Sequence, residues 1–288
     1  MSSLKVAIIT GGASGMGLAV AKNLAENGWQ INIFDLNKTA GDAAAREVKN
    51  SKFIAVDVTS WSSLSNEFDA VFNAQSRLDF VFANAGIVQM HNFYKRVDRL
   101  PPPELPQTSI DINLKAVINT SYLAQHYFRA NKHSGADAVL ITTASIAGFY
   151  AQEFNPLYSA SKAGVVNFLR SIGKPFQEDG IRTYALCPGT AKTNLLSDEV
   201  WSSWPEEYLT PVDTIVSVVE TLLAGGAMVD AKGRRLEKGS DCGMAVEVFQ
   251  KSFYFRDQME YINEGMRKIC EASSLNSHKS NFGDSGSS

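Results

Sequence analysis

The chain has 288 residues, 44% of them hydrophobic and 20% charged, enough to bury a substantial core in one large α/β domain or two small ones. Its 27 basic residues against 30 acidic ones leave a net charge of -3 without a long basic run, which argues against a nucleic-acid partner. Three scattered cysteines (Cys187, Cys242, Cys270) and four histidines without ligand spacing argue against a disulfide frame or a metal centre.

In chain order, short β-branched runs alternate with longer amphipathic ones. "KVAIIT" is followed by a helical stretch over 16–27, "INIFD" by 38–49, "FIAVDV" by 61–76, and "LDFVFANAG" by 107–132. Then come "ADAVLITTAS", a helix over 156–177, "IRTYALCPG" and a seventh strand, "MAVEVF", over 244–249. This rhythm predicts a single doubly wound Rossmann domain over 1–272, with a parallel sheet of about seven strands flanked by helices and ligands bound beyond the strands' carboxyl ends. The polar residues 273–288 read as a disordered tail, and the proline-rich "RLPPPELP" over 99–106 as a surface loop. No window reaches the apolar length of a membrane span, and the N-terminal apolar run lacks a cleavage site. A soluble, cytoplasmic protein is expected.

"TGGASGMG" joins the first strand to the first helix. There Gly11, Gly15 and Gly17, with Ser14 and Met16 between them, leave room for a pyrophosphate at a helix N-terminus. Its G-x-x-x-G-x-G spacing is not that of the usual dinucleotide fingerprint, and a glycine turn also serves packing alone. Asp35, followed by Leu36, ends the second strand 18 residues after Gly17, near the offset at which a carboxylate meets the adenosine ribose. A carboxylate repels a 2'-phosphate and Ser14 offers it no positive charge, so NAD rather than NADP is expected; a turn or cap aspartate is the alternative. Asp57 and Val58 are placed at the end of the third strand and Asn84, Ala85 and Gly86 at the end of the fourth, on the same sheet edge. Asn and Gly there are also plain turn formers.

"YSASK" places Tyr158 and Lys162 one helical turn apart. A tyrosine is a poor base near neutrality unless a neighbouring cation favours the phenolate, and Lys162 is such a cation. A core tyrosine beside a snorkelling lysine gives the same pattern. Against that reading, Pro156 starts the helix just before Tyr158, and a lysine near a helix N-terminus opposes the macrodipole. Ser145, closing "ITTAS", belongs at the same sheet edge, where its hydroxyl can donate to a substrate oxygen; strand propensity explains the run equally well.

With "TGGASGMG", "NAG", "DINL", Ser145, "YSASK" and "PGTAKT" all in order, residues 4 to 250 resemble the short-chain dehydrogenase/reductase family. The resemblance implies Tyr158 as general acid/base, Ser145 as the residue orienting the substrate oxygen, and Lys162 as nicotinamide-ribose ligand lowering the Tyr158 pKa. It implies that Asn113 holds a relay water, and that Pro188, Gly189, Ala191 and Thr193 border the nicotinamide carboxamide. Asp35, "SYLAQHYF" and the "GMAVEVFQKSFYFRDQMEY" segment are most similar to the NAD-dependent hydroxyprostaglandin dehydrogenase branch. Asn155 falls where that branch carries a substrate-contacting glutamine, and the insertion "HNFYKRVDRLPPPELP" is a second departure from its pattern.

The implied activity is NAD-linked oxidation of a secondary alcohol to a ketone. Ketone reduction by the same residues is the runner-up, and a non-catalytic nucleotide-binding regulator the alternative from another class. Leu195, Leu196, Trp201, Trp204 and Tyr208 are the expected apolar lining for a moderately large apolar alcohol or ketone, unless these side chains pack onto the core or a neighbouring subunit. The family further implies a homodimer or homotetramer.

Overall fold

The computed structural model describes residues 4–88, 92–193 and 205–278. The chain forms two compact units, Met1–Arg256 and Asp257–Ser288. In the second, helix α7 (Glu264–Ala272) is capped by Asn263, whose Oδ1 accepts from Met266 N at 2.9 Å. Residues from 279 onward lie outside the described ones.

The first unit is built on a sheet of eight strands. They are β1 (Val6–Thr10), β2 (Gln30–Asp35), β3 (Ser51–Ala55), β4 (Phe80–Ala83), β5 (Val139–Thr143), β6 (Arg182–Pro188), β9 (Met244–Phe249) and β10 (Ser252–Arg256); the short strands β7 (Met228–Val229) and β8 (Arg235–Leu236) pair separately. The sheet order is β10-β9-β6-β5-β4-β1-β2-β3, parallel except for β10. Chain order reverses between β1 and β4, which opens the crevice where doubly wound sheets bind ligands. The expected rhythm is present with one more strand than predicted. The tight turn at Gln250, with φ of 51°, returns "SFYFR" along β9 as an antiparallel edge.

The strands are nearly continuous hydrophobic runs because both faces are covered. On one face, Val20, Ala21 and Leu24 of α1 (Gly15–Glu26) and Ile215, Val218 and Leu222 of a helix over Val212–Ala224, here α6, pack on Ile9, Ile31 and Val246. On the other, Leu64 and Phe68 of α3 (Trp61–Gln75), Ala124 and Phe128 of α4 (Ala116–Arg129), and Val165 and Leu169 of α5 (Pro156–Glu178) cover Ile8, Leu140 and Ala185. Helix α2 (Lys38–Glu47) joins β2 to β3. The stretch expected as one helix over 107–132 is interrupted: a turn at Thr108–Ile110 and a π turn at Asp111–Lys115 precede α4, and buried Asn113 sits in the π turn. No helix of the described residues is long and apolar enough to cross a membrane.

Candidate active site

A cavity of about 560 Å³ opens along the carboxyl edge of β1, β2, β4, β5 and β6. At its nucleotide end Gly11 turns with φ of +63°, and a Cβ there would lie 2.9 Å from Ala85 Cα, so only glycine lets the two strand ends approach. Gly17 is buried inside α1, where a Cβ would meet Gly11 O at 2.3 Å; it closes the turn from behind rather than lining the cavity. Ser14, Gly15 and Met16 do line it. Ser14 is the N-cap residue, yet its side chain makes no capping hydrogen bond, so the N–H groups of the first turn remain available for phosphate oxygens.

The Asp35 carboxylate lies in the cavity wall with Leu36 beside it. Asp35 Oδ2 accepts from Ala13 N at 3.1 Å and Oδ1 from Asn37 N at 3.0 Å, so it also fixes the glycine turn. Asp57 and Val58 line the cavity as expected, but they follow β3 rather than end it, because the strand stops at Ala55. Asp57 Oδ1 accepts from Thr59 N and Oγ1, a polar turn that ends the ladder. Asn84, Ala85 and Gly86 line the cavity too. Asn84 is a brace: its Nδ2 donates to Thr10 O and Gly11 O at 3.2 Å each, and its Oδ1 accepts from Thr143 Oγ1 at 3.0 Å. Three strand ends are thereby held together.

At the chemical end, Ser145 lies two residues beyond β5 and caps a 3-10 turn, its Oγ accepting from Ala147 N at 3.1 Å. Asn155 and Pro156 start α5 so that Tyr158 falls in its first turn, with its phenol on the same cavity wall as Ser145. Lys162, one turn on, is fully buried, donates from Nζ to Thr143 O at 2.8 Å, and lies 5.6 Å from the Tyr158 ring centre. Burial pulls its ammonium down to about 8. Burial also pushes the Tyr158 phenol up, with the Ser145 hydrogen bond opposing it. Against the lowering expected from Lys162, the net direction is upward, because desolvation disfavours the phenolate. Cys187, buried beneath them, is pushed up to about 12, which keeps the thiol neutral.

Pro188, Gly189, Ala191 and Thr193 complete the wall, and Thr193 sits against Gly15, where an added Cβ would lie 3.3 Å from its own. Asn113 stands behind the cavity. Its Oδ1 accepts from Ile87 N at 2.8 Å, and its Nδ2 donates to Ile87 O at 2.9 Å and Ser161 Oγ at 3.3 Å, so its amide is committed to backbone and helix rather than held open.

Asn155 does not line the cavity: only 2% exposed, it caps α5, its Oδ1 accepting from Tyr158 N at 3.2 Å. Tyr208 is 54% exposed and is no part of the cavity wall, while Leu195, Leu196, Trp201 and Trp204 lie outside the described residues. Sequence reasoning missed Ile87, Val88, Ile146, Gln152 and Phe154, all in the wall. The available signal was position, since each follows a strand end or precedes Tyr158 by a few residues.

A family model described as short chain dehydrogenase matches residues 5–202. The chain is 43% identical over 269 residues to the short-chain dehydrogenase/reductase prx7 of Penicillium rubens, covering 89% of this chain and 95% of that protein. It is 32% identical over 200 residues to human 15-hydroxyprostaglandin dehydrogenase (NAD(+)), covering 67% and 70%. The fungal protein is therefore the nearer likeness of the two, and the prostaglandin enzyme a distant one. The fold matches the crystal structure of a 3-ketoacyl-(acyl-carrier-protein) reductase from Brucella melitensis complexed with NADH, with a TM-score of 0.71 at 23% identity over 86% of this chain and 98% of that one. A strand-end glycine turn, a serine–tyrosine–lysine cluster in one cavity and these matches lead to one conclusion: the chain belongs to the short-chain dehydrogenase/reductase family of NAD(P)-dependent oxidoreductases.

Proposed function

We propose that the protein oxidises a secondary alcohol of moderate size and largely apolar body to a ketone, with NAD as hydride acceptor. The observation that carries this reading is the convergence of Ser145, Tyr158 and Lys162 on one end of a cavity whose other end presents Asp35. Gly11 and Gly15 would take the pyrophosphate, Asp35 the adenosine ribose and Lys162 the nicotinamide ribose. The nicotinamide held there would supply the hydride acceptor for the carbinol carbon.

The protein's own groups manage the proton and the oxygen. The Ser145 hydroxyl donates to the substrate oxygen, and Tyr158 Oη takes the hydroxyl proton as the carbon–oxygen bond becomes a carbonyl. Lys162 spends one of its N–H donors on Thr143 O, which leaves two for the ribose. Asp35 supports NAD over NADP through repulsion of a 2'-phosphate. The likeness to an NAD-linked prostaglandin enzyme supports the same choice.

One observation favours the reverse reaction, ketone reduction: burial holds the Tyr158 phenol protonated, the form that gives a proton to a developing alkoxide. Homodimers or homotetramers and a cytoplasmic location remain part of the proposal on family grounds. The test is a panel of secondary alcohols and ketones, each followed by cofactor absorbance with NAD(H) and with NADP(H). Alcohol oxidation with NAD is the expected result. Turnover with NADP alone rejects the cofactor assignment, and turnover of ketones alone rejects the direction.

A further inference from the structure

We infer that Gln152 selects the substrate, by recognising a second oxygen function on the molecule whose first oxygen is held by Ser145 and Tyr158. This rests on the reading of the cavity as an alcohol/ketone site. The argument begins with two amides in the loop before α5. Asn155 is buried, spends its Oδ1 on the helix cap while its Nδ2 finds no partner among the described residues, and lies outside the cavity wall. Gln152 lies in the wall, half-buried, and among the described residues its side-chain amide has no hydrogen-bond partner.

Its backbone is nevertheless held. Gln152 N donates to Ser159 Oγ at 3.1 Å, and Gln152 O accepts from Asn155 N at 3.2 Å. Upstream, Tyr150 Oη donates to the Glu247 carboxylate at 3.2 and 3.3 Å, and Arg256 bridges to Glu247 at 3.3 Å while lying over the Phe149 and Tyr150 rings at 5.5 and 6.0 Å. Within this anchor the Glu247 residue is 9% exposed, while Tyr150, which it holds, is 48% exposed.

A fixed backbone carrying an uncommitted amide is an arrangement suited to recognition, because the side chain is positioned without spending its donors and acceptor internally. A carboxamide accepts and donates, so it matches a hydroxyl or a carbonyl. Around it Val88, Ile146 and Phe154 supply apolar wall. The substrate class is therefore a secondary alcohol or ketone with an apolar body and one further hydroxyl or carbonyl group, and a plain hydrocarbon alcohol lacks the feature that is read. Desolvating Gln152 under such an alcohol leaves its amide unpaired, which is how a polar site rejects an analogue lacking the oxygen.

The test compares 2-octanol with 2,3-octanediol and 2,4-octanediol in the wild type, Gln152→Leu, Gln152→Asn and Asn155→Ala, using kcat/KM ratios so that effects on cofactor binding cancel. The wild type is expected to prefer one diol over 2-octanol by at least about tenfold. Gln152→Leu should bring that ratio to within about twofold of unity, Gln152→Asn should retain part of it, and Asn155→Ala should keep it while lowering the melting midpoint. A wild-type ratio near unity, or a preference that survives Gln152→Leu, overturns this inference and leaves the dehydrogenase reading standing. Absence of wild-type turnover on any alcohol or ketone with either cofactor overturns both.

Discussion

At the nucleotide end of the cavity the working surface is mostly backbone, shaped by Gly11 and Gly15 and braced from beneath by Asn84. At the chemical end it is mostly side chain, with Ser145 from a loop and Tyr158 and Lys162 from a helix. The first end depends on the absence of Cβ atoms and the second on the burial of ionisable groups. The two should therefore fail differently: a change at the glycine turn disturbs packing whatever the pH, whereas a change at the catalytic cluster alters chemistry and pH response and leaves the fold in place.

Tyr158→Phe gives the sharpest contrast. Removal of the proton-exchanging oxygen should lower kcat by about 10³-fold while NAD(H) affinity, followed by fluorescence titration, stays within about twofold. Comparable loss in both would merge the two ends and defeat the assignment.

Lys162→Met tests the burial side of the comparison. The Lys162 pKa falls from 10.5 to about 8 in the folded state, so below about pH 8 the lysine carries its proton folded or unfolded and its desolvation cost is fully present. Between about 8 and 10.5 the unfolded chain binds more protons, and stability due to this group rises with pH. Relative to Lys162→Met, the wild type should gain on the order of 3 kcal/mol across that window, read from urea midpoints at intervals of pH. Parallel curves for the two proteins would mean that Lys162 does not titrate there.

Gly17→Ala probes the backbone end, where the new methyl meets Gly11 O at 2.3 Å. A loss of about 2 kcal/mol or more in unfolding free energy is expected, with no pH dependence between 7 and 10. A neutral substitution would show that the turn relaxes freely and that its shape is not set by this contact.

The smallest effect concerns selectivity. Asp35→Ala should shift the NAD to NADP preference in kcat/KM by about tenfold, equivalent to about 1.4 kcal/mol, through relief of repulsion at the ribose. Since Asp35 also accepts from Ala13 N and Asn37 N, a modest fall in melting midpoint should accompany it. A fall in midpoint with unchanged preference would make Asp35 a turn residue alone.

Much of this was legible in the chain. Hydrophobic periodicity placed the seven parallel strands, since βαβ units impose their alternation locally. The strand that escaped, β10, follows β9 after a two-residue turn, and its alternating "SFYFR" pattern was absorbed into a resemblance of the terminal segment. Glycines and the Tyr158–Lys162 spacing were readable because phosphate approach and a shared helix face are short-range requirements.

Asn155 was misread because a spacing of three residues from Tyr158 describes a helix cap as well as a substrate contact, and only burial separates the two. Gln152 was invisible for the complementary reason: nothing local distinguishes a loop glutamine that faces a cavity from one that faces water. The direction of the Tyr158 shift likewise depends on desolvation, a property of everything packed around the ring. By itself the sequence determined the dinucleotide-binding architecture, through local periodicity, and its resemblance to the family named Ser145, Tyr158 and Lys162 as candidate reacting groups. Tertiary structure alone decided which amide lines the cavity, how Asn84 and Asn113 are spent, and how strongly burial moves Lys162, because each is set by neighbours distant in the chain.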